Sequence, residues 1–364
     1  MEESLQQVHP RFKFEGIHYS FDQLFEIGYS LIKEGEQFER AMGDFMMDWY
    51  SPHDTIPIQT SGSTGAPKVI RLHKQAMVNS ALATGAYFGL QEGDRALLCL
   101  SAEHIASKMM LVRAMVLGLE LDYVSPSKSP LEGSSKHYDF CAMAPLQLLN
   151  SVSKLQRIKT LIVGGATISQ ELQEKVQNSN TRIFETYGMT ETCSHVAVRQ
   201  INASTAKGES IVKQVPFETL TDITVSKDER DCLVIHAPML ASEPFVTNDI
   251  VELLSETSFN WIGRVDNIIN SGGIKLYPEA IEEKLATIMQ GRYLVAGLPD
   301  QQLGEKLVLL IEGTINKKEL KEKIEQLTSI KKVERPKEIY SIATFKETSN
   351  GKLMRKEIIK EILN

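Results

Sequence analysis

The chain has 364 residues, 42% apolar, 24% charged and 7% aromatic, which is the balance of a packed, enzyme-sized protein and excludes a disordered or collagen-like chain. Forty Lys and Arg against 47 Asp and Glu leave a net charge of −7 with no long basic run, so nucleic acid is not expected as a principal partner. Cys99, Cys141, Cys193 and Cys232 are too widely spaced for a CxxC metal or redox motif or for a disulfide framework, and a reducing, cytoplasmic setting is expected.

The first residues carry acids where a secretory peptide has basic ones, so no export signal is expected. Helical periodicity predicts a first helix over 21–33 and, beyond a polar loop at 60–68, a second over 74–88. An apolar run at 96–100 predicts a strand, and 105–117 a helix. Glu103, His104, Lys108 and Arg113 interrupt the apolar stretch, so no bilayer span of roughly 20 residues is available there. Further strands are predicted at 160–163, 232–235, 294–297 and 307–311, and helices at 169–177, 278–289, 317–327 and 353–363. Ser169 reads as an N-cap, and Pro278 as a first helical residue followed by Glu279, Glu282 and Glu283.

Alternating strands and helices argue for α/β architecture. After about residue 266 the composition turns Lys/Glu-rich, which places a joint at 264–267 between a large body and a small lid. The expected organisation is a shortened N-terminal region (1–56), an α/β body of mixed sheets and helices (57–265) and a small, mobile C-terminal α+β lid (266–364).

The most informative segment is Thr60-Ser61-Gly62-Ser63-Thr64-Gly65-Ala66-Pro67-Lys68. Its hydroxyls, glycines and lysine supply donors, close backbone approach and one cation, which is what a polyphosphate needs. It is not a Walker A loop, because Pro67 and not Gly precedes the lysine. Taken alone, the same composition also describes a polar surface loop.

Four further stretches come in order: Leu161-Ile162-Val163-Gly164-Gly165-Ala166, Thr186-Tyr187-Gly188-Met189-Thr190-Glu191, Trp261-Ile262-Gly263-Arg264-Val265-Asp266 leading to Ser271-Gly272-Gly273, and Asn350-Gly351-Lys352-Leu353-Met354-Arg355. Together with the loop they resemble the adenylate-forming superfamily of acyl-CoA and aryl-CoA synthetases, luciferases and peptide-synthetase adenylation domains. The resemblance covers roughly residues 57–364. Members usually have more chain before the phosphate loop, so 1–56 reads as shortened, and a homodimer is left open.

The resemblance implies ATP, Mg²⁺ and CoA: a carboxylate attacks the α-phosphate to give an acyl-adenylate and pyrophosphate, and a thiol then displaces AMP. Thr60 to Gly65 and Lys68 would take the phosphates, with Thr190 bonding a phosphate oxygen and Glu191 as the metal ligand. Gly164, Gly165, Ala166, Tyr187 and Gly188 would form the adenine pocket. Asp249, in a stretch where Asn248 stands in the family's glycine position, would accept the ribose hydroxyls across a turn that asparagine tolerates, with Arg264 opposite. Lys352 is the expected catalytic cation at the α-phosphate. Rotation about Asp266 would exchange Lys352 for the Gly272 and Gly273 loop, which would line the pantetheine tunnel; a plain glycine turn is the other reading of that loop.

His104 matches an aromatic or His gate beside the acyl pocket, and a structural histidine fits equally. Among family members, the short form looks most like the o-succinylbenzoate–CoA ligases of menaquinone biosynthesis. That acid carries a second, unreactive carboxylate, for which Lys108 and Arg113 are candidates; the preferred reading places both on the exposed face of an amphipathic helix. Another acyl-CoA ligase, an enzyme loading a carrier-protein thiol, and a non-catalytic nucleotide-binding homologue remain as alternatives.

Overall fold

The structure, a computed structural model, describes residues 8–59, 68–202, 215–347 and 353–363. Two compact units divide the chain: Met1–Val225 with Ile235–Phe245 and Ser255–Ser258, and Ser226–Val234 with Val246–Leu254 and Phe259–Asn364. In chain order the elements are β1 (Lys13–Phe14), β2 (Ile17–His18), α1 (Leu24–Lys33), α2 (Gln37–Tyr50), β3 (Thr55–Gln59), β4 (Val69–His73), α3 (Lys74–Phe88), β5 (Arg95–Leu98), α4 (Ile105–Leu117) and β6 (Glu120–Tyr123). Next come β7 (Tyr138–Met143), α5 (Pro145–Ser151), β8 (Ile158–Val163), α6 (Gln170–Val176), β9 (Arg182–Gly188), β10 (His195–Gln200), β11 (Phe217–Thr219), β12 (Thr224–Lys227), β13 (Cys232–His236), β14 (Phe245–Ser255) and β15 (Ser258–Arg264). The last are β16 (Ile269–Ser271), β17 (Ile274–Leu276), α7 (Pro278–Leu285), β18 (Tyr293–Asp300), β19 (Gly304–Glu312), α8 (Lys317–Gln326), β20 (Glu338–Ile342) and α9 (Arg355–Leu363).

In the first unit β6, β5, β7, β8 and β9 pair in parallel in that order, and β10 then joins β9 antiparallel. The apolar runs of β5 and β8 are buried on both faces, which is why they carry no polar alternation. Leu97, Cys141, Met143, Leu161, Val163 and Ile183 share one core cluster with Leu172 and Val176 of α6. All four cysteines are buried and free. Among the described residues no helix is long and apolar enough to cross a membrane.

The second unit shows why its strands read so clearly. Along β18 and β19 the side chains alternate: Val295, Leu307, Leu309 and Ile311 pack with α7 and α8, whereas Leu294, Ala296, Val308 and Leu310 pack with Ile358 of α9. Its sheet runs β17-β16-β19-β18, with β20 parallel to β19.

Several expectations are corrected. The helix predicted over 21–33 opens as a 3₁₀ turn, Phe21–Gln23, fixed by reciprocal Ser20 and Gln23 capping, and becomes α-helical at Leu24. The helix predicted to 289 ends at Leu285, and the last one begins at Arg355. Helix α2 was not predicted, although its buried Met42, Phe45, Met46 and Trp49 have helical spacing and Glu36 and Glu39 cap its start.

Candidate functional site

Parallel strands send their carboxyl ends to one edge of a sheet, where ligands bind in open α/β folds. The register sets Leu98 beside Ala142, Ala142 beside Ile162, and Val163 beside Glu185. The strand ends and the loops after them therefore converge on that edge of the first unit: His104 beyond β5, Gly164 to Ala166 beyond β8, and Tyr187 to Glu191 at the end of β9.

Two glycines there are required by close approach. A Cβ on Gly164 would lie 2.4 Å from Thr186 Oγ1, and one on Gly188 would lie 2.3 Å from Ser194 O. Tyr187 is half-buried, its ring 5.8 Å from that of Phe217. Thr190 opens a 3₁₀ turn, Thr190–Thr192, that leaves the Glu191 carboxylate exposed. Thr192 locks the turn, its hydroxyl lying 2.9 Å from Met189 O and 2.7 Å from Ser194 O. Cys193 closes it at φ 62, a strained value for a residue with a side chain. Among the described residues no group of three or more His, Cys, Asp or Glu could hold a metal ion. A lone exposed carboxylate beside a hydroxyl is nevertheless what Mg²⁺ uses when substrate phosphates supply the other oxygens, so Glu191 fits the expected ion.

Of the phosphate loop, Thr60, Ser61, Gly62, Ser63, Thr64 and Gly65 lie outside the described residues, as does Lys352. The strands flanking the loop are β3 and β4, paired antiparallel with Gln59 opposite Val69, and Lys68 is exposed just before β4.

Helix α4 departs most from expectation. It is not amphipathic: Ser107 and every residue from Met109 to Met115 are buried. Arg113 is only 1% exposed, so the surface position preferred for it is wrong. Its Nη2 donates to Ser194 Oγ at 2.6 Å and lies 3.5 Å from His195 Nδ1, while Nε has no partner among the described residues. Burial alone lowers its pKa to about 9, with no carboxylate among the described residues opposing the shift. Lys108 points elsewhere, over the Phe45 ring at 5.7 Å, with burial pulling its pKa down and Asp48 and Asp44 opposing. His104 is half-buried at the N-cap of α4.

In the second unit β14 and β15 are hydrogen-bonded neighbours carrying the expected ribose pair. Asp249 Oδ1 accepts from Trp261 Nε1 at 3.2 Å and from Arg264 Nη1 at 3.4 Å, and Arg264 Nη2 reaches Asp266 at 3.1 Å. The Asp249 N–H is tied to Thr247 Oγ1 at 3.0 Å. Asn248 does not sit in a turn. It lies inside β14, outside the positive-φ region, with its side chain accepting from Arg230 at 3.0 Å. Gly272 (φ 59) and Gly273 (φ 81) form the two-residue turn of the β16–β17 hairpin, where positive φ at both positions demands glycine. Sequence reasoning missed Ser194 and His195 because nothing local marks them, Ser194 being 81 residues from Arg113; Trp261 opened a recognised motif but was given no role.

Residues 15–231 match the family model "AMP-binding enzyme". A 2-succinylbenzoate–CoA ligase from Enterococcus faecalis is 24% identical over 333 residues, covering 83% of this chain and 68% of its own. One from Lactococcus lactis is 24% identical over 318 residues, covering 83% and 70%. The crystal structure of an acyl-CoA synthetase (AMP-forming)/AMP-acid ligase II-like protein from Dyadobacter fermentans is 32% identical, covers 93% of this chain and 98% of that one, and aligns with TM-score 0.59. The o-succinylbenzoate CoA synthetase of Bacillus subtilis in complex with its acyl-adenylate intermediate aligns with TM-score 0.77 over 95% of both chains at 16% identity, a likeness of fold. The expected α/β architecture with a small C-terminal portion is thus the adenylate-forming fold, and the chain belongs to the AMP-binding enzyme family.

Proposed function

We propose that this chain is an AMP-forming ligase that adenylates o-succinylbenzoate and transfers the acyl group to CoA. The observation carrying the choice of acid is Arg113. A guanidinium buried without a carboxylate costs several kcal/mol unless an anion completes it, and this one lies against Ser194, just beyond the Thr190–Glu191 turn. An acid with a second, non-reacting carboxylate supplies that anion; a fatty acid or simple benzoate does not. The names of the Enterococcus and Lactococcus relatives support the same acid.

In the adenylation step a carboxylate oxygen of the acid attacks the α-phosphorus of ATP, and the bond to pyrophosphate breaks. Tyr187 and the bare Gly164 backbone suit an adenine. In the second unit Asp249, fixed by Trp261 and Arg264, suits the role of acceptor for ribose hydroxyls. Glu191 would hold Mg²⁺ together with the phosphates, and the ion would supply neutralisation of phosphate charge. Lys352 stabilises the charge developing at the α-phosphate. In the second step the CoA sulfur attacks the acyl carbon, and AMP leaves.

The test is mass spectrometry of products from purified protein with Mg·ATP, CoA and either o-succinylbenzoate or a panel of fatty acids and benzoates. A CoA ester formed only with o-succinylbenzoate is expected. An ester formed equally from monocarboxylates would overturn the choice of acid, and AMP release without any ester would overturn CoA as acceptor. Lys352→Ala should reduce adenylation about 100-fold or more while sparing thiolysis of supplied acyl-adenylate; equal loss in both steps would remove Lys352 from the first.

A further inference from the structure

We propose that His195 is a positioning residue for substrate: its neutral imidazole accepts a hydrogen bond from Arg113 and so sets the direction in which that guanidinium meets the substrate's second carboxylate. The inference deepens the o-succinylbenzoate reading and rests on it.

His195 opens β10 and is 6% exposed. Two helices converge on its ring. Phe88 of α3 stands edge-on with centroids 6.2 Å apart, Thr84 Oγ1 of the same helix lies 3.4 Å from Nε2, and Arg113 Nη2 of α4 lies 3.5 Å from Nδ1. Ser194 Oγ is 3.3 Å from Nδ1. The tautomer is set by the partners. The Thr84 hydroxyl donates to Ser80 O at 2.9 Å, so towards Nε2 it can only accept, and the ring proton sits on Nε2. Nδ1 then presents a lone pair to two donors, Arg113 and Ser194.

The choice of side chain makes chemical sense. A carboxylate at this position would orient Arg113 and also neutralise it, leaving nothing for a ligand. A protonated imidazole would repel it, and both burial and the Arg113 charge hold His195 well below the usual histidine range. A neutral acceptor orients the guanidinium and leaves its charge uncancelled. The hydrogen-bond partner of Arg113 Nη1 among the described residues is Met110 Sδ at 3.8 Å, a weak acceptor, so the stronger polar restraints on the fork come through Nη2.

The experiment measures ATP–pyrophosphate exchange for wild type, His195→Leu and His195→Asn, with o-succinylbenzoate and with 4-oxo-4-phenylbutanoate, which lacks the ring carboxylate. His195→Leu should raise KM for o-succinylbenzoate about 10-fold with a much smaller change in kcat, and should affect the monoacid far less. His195→Asn, whose Oδ1 can stand near Nδ1, should recover most of the loss. Equal losses for both acids, or no recovery with Asn, would mean a merely structural histidine. Failure of the underlying reading looks different: Arg113→Met would then weaken both acids alike, or wild type would not exchange with o-succinylbenzoate. A substrate-free readout is the ¹⁵N spectrum of His195, expected to show the Nε2-protonated tautomer; protonation at Nδ1 would overturn the proposal directly.

Discussion

Arg113 and Arg264 are the same side chain placed in opposite circumstances. Arg264 is about one-third exposed and bridges Asp249 and Asp266, so its charge is matched within the fold. Arg113 is sealed inside α4, matched by one hydroxyl and one imidazole and by no carboxylate among the described residues. The first arrangement fixes a carboxylate that, under the proposed function, serves as acceptor for a ligand. The second keeps a charge whose counter-ion, under the proposed function, arrives with the ligand. Burial sharpens both attraction and penalty, so only the second can discriminate strongly between a dicarboxylate and a monocarboxylate.

The largest expected effect comes from removing the unmatched charge. Arg113→Met should lower kcat/KM for o-succinylbenzoate about 1,000-fold, on the order of 4 kcal/mol, while leaving the melting temperature unchanged or higher, because a buried ion is replaced by apolar volume. Steady-state kinetics and calorimetry on one preparation check both signs. A marked loss of stability would show that Arg113 belongs to the scaffold.

Asp249→Ala tests the matched charge. KM for ATP should rise about 10- to 100-fold with KM for the acid little altered. Folding should change little, since Arg264 keeps Asp266.

Arg355 stands between the two cases, less exposed than Arg264 and, like it, paired with carboxylates. It contacts Glu282 Oε2 at 2.5 Å, Glu279 at 3.8 Å and Val295 O at 3.2 Å. Burial raises the Glu282 carboxyl to about 7 from the usual 4.5, with Arg355 and the Val295 N–H pulling the other way. A carboxyl raised on folding stabilises below its unfolded pKa and loses that contribution as pH climbs through the folded one. Denaturant titrations should therefore show wild type losing stability relative to Glu282→Gln between pH 4.5 and 7, on the order of 3 kcal/mol at most. A flat difference between the two proteins would show that Arg355 fully compensates the burial.

The smallest effect concerns Asn248. Restoring the family's glycine should cost about 1 kcal/mol, because the position is extended strand and the Arg230 contact is lost. A stabilised Asn248→Gly protein would bring back the turn expected from sequence.

Sequence legibility tracked the range of the forces involved. Helices α3 and α4 begin and end at the bounds expected for them, and Gly89 and Gly118 close them in the left-handed conformation, a local stop signal. The alternating strands β18 and β19 were legible for the same reason. The environment of Arg113 was not, since its burial depends on Ser194 and His195, brought to α4 only by the folded β9–β10 turn. Two basic residues within one helix look like a polar face until tertiary packing assigns Lys108 to Phe45 and Arg113 to the turn after Glu191. Asn248 misled for a related reason: motif alignment suggested a turn, whereas strand pairing settled its backbone.

The most direct test of the central claim is the ratio of kcat/KM for o-succinylbenzoate to that for 4-oxo-4-phenylbutanoate, measured by pyrophosphate exchange in wild type and Arg113→Met. A wild-type preference for the dicarboxylate of about 100-fold or more that collapses towards unity in Arg113→Met is predicted. A preference that survives the substitution would contradict the assignment of Arg113 as the partner of the second carboxylate.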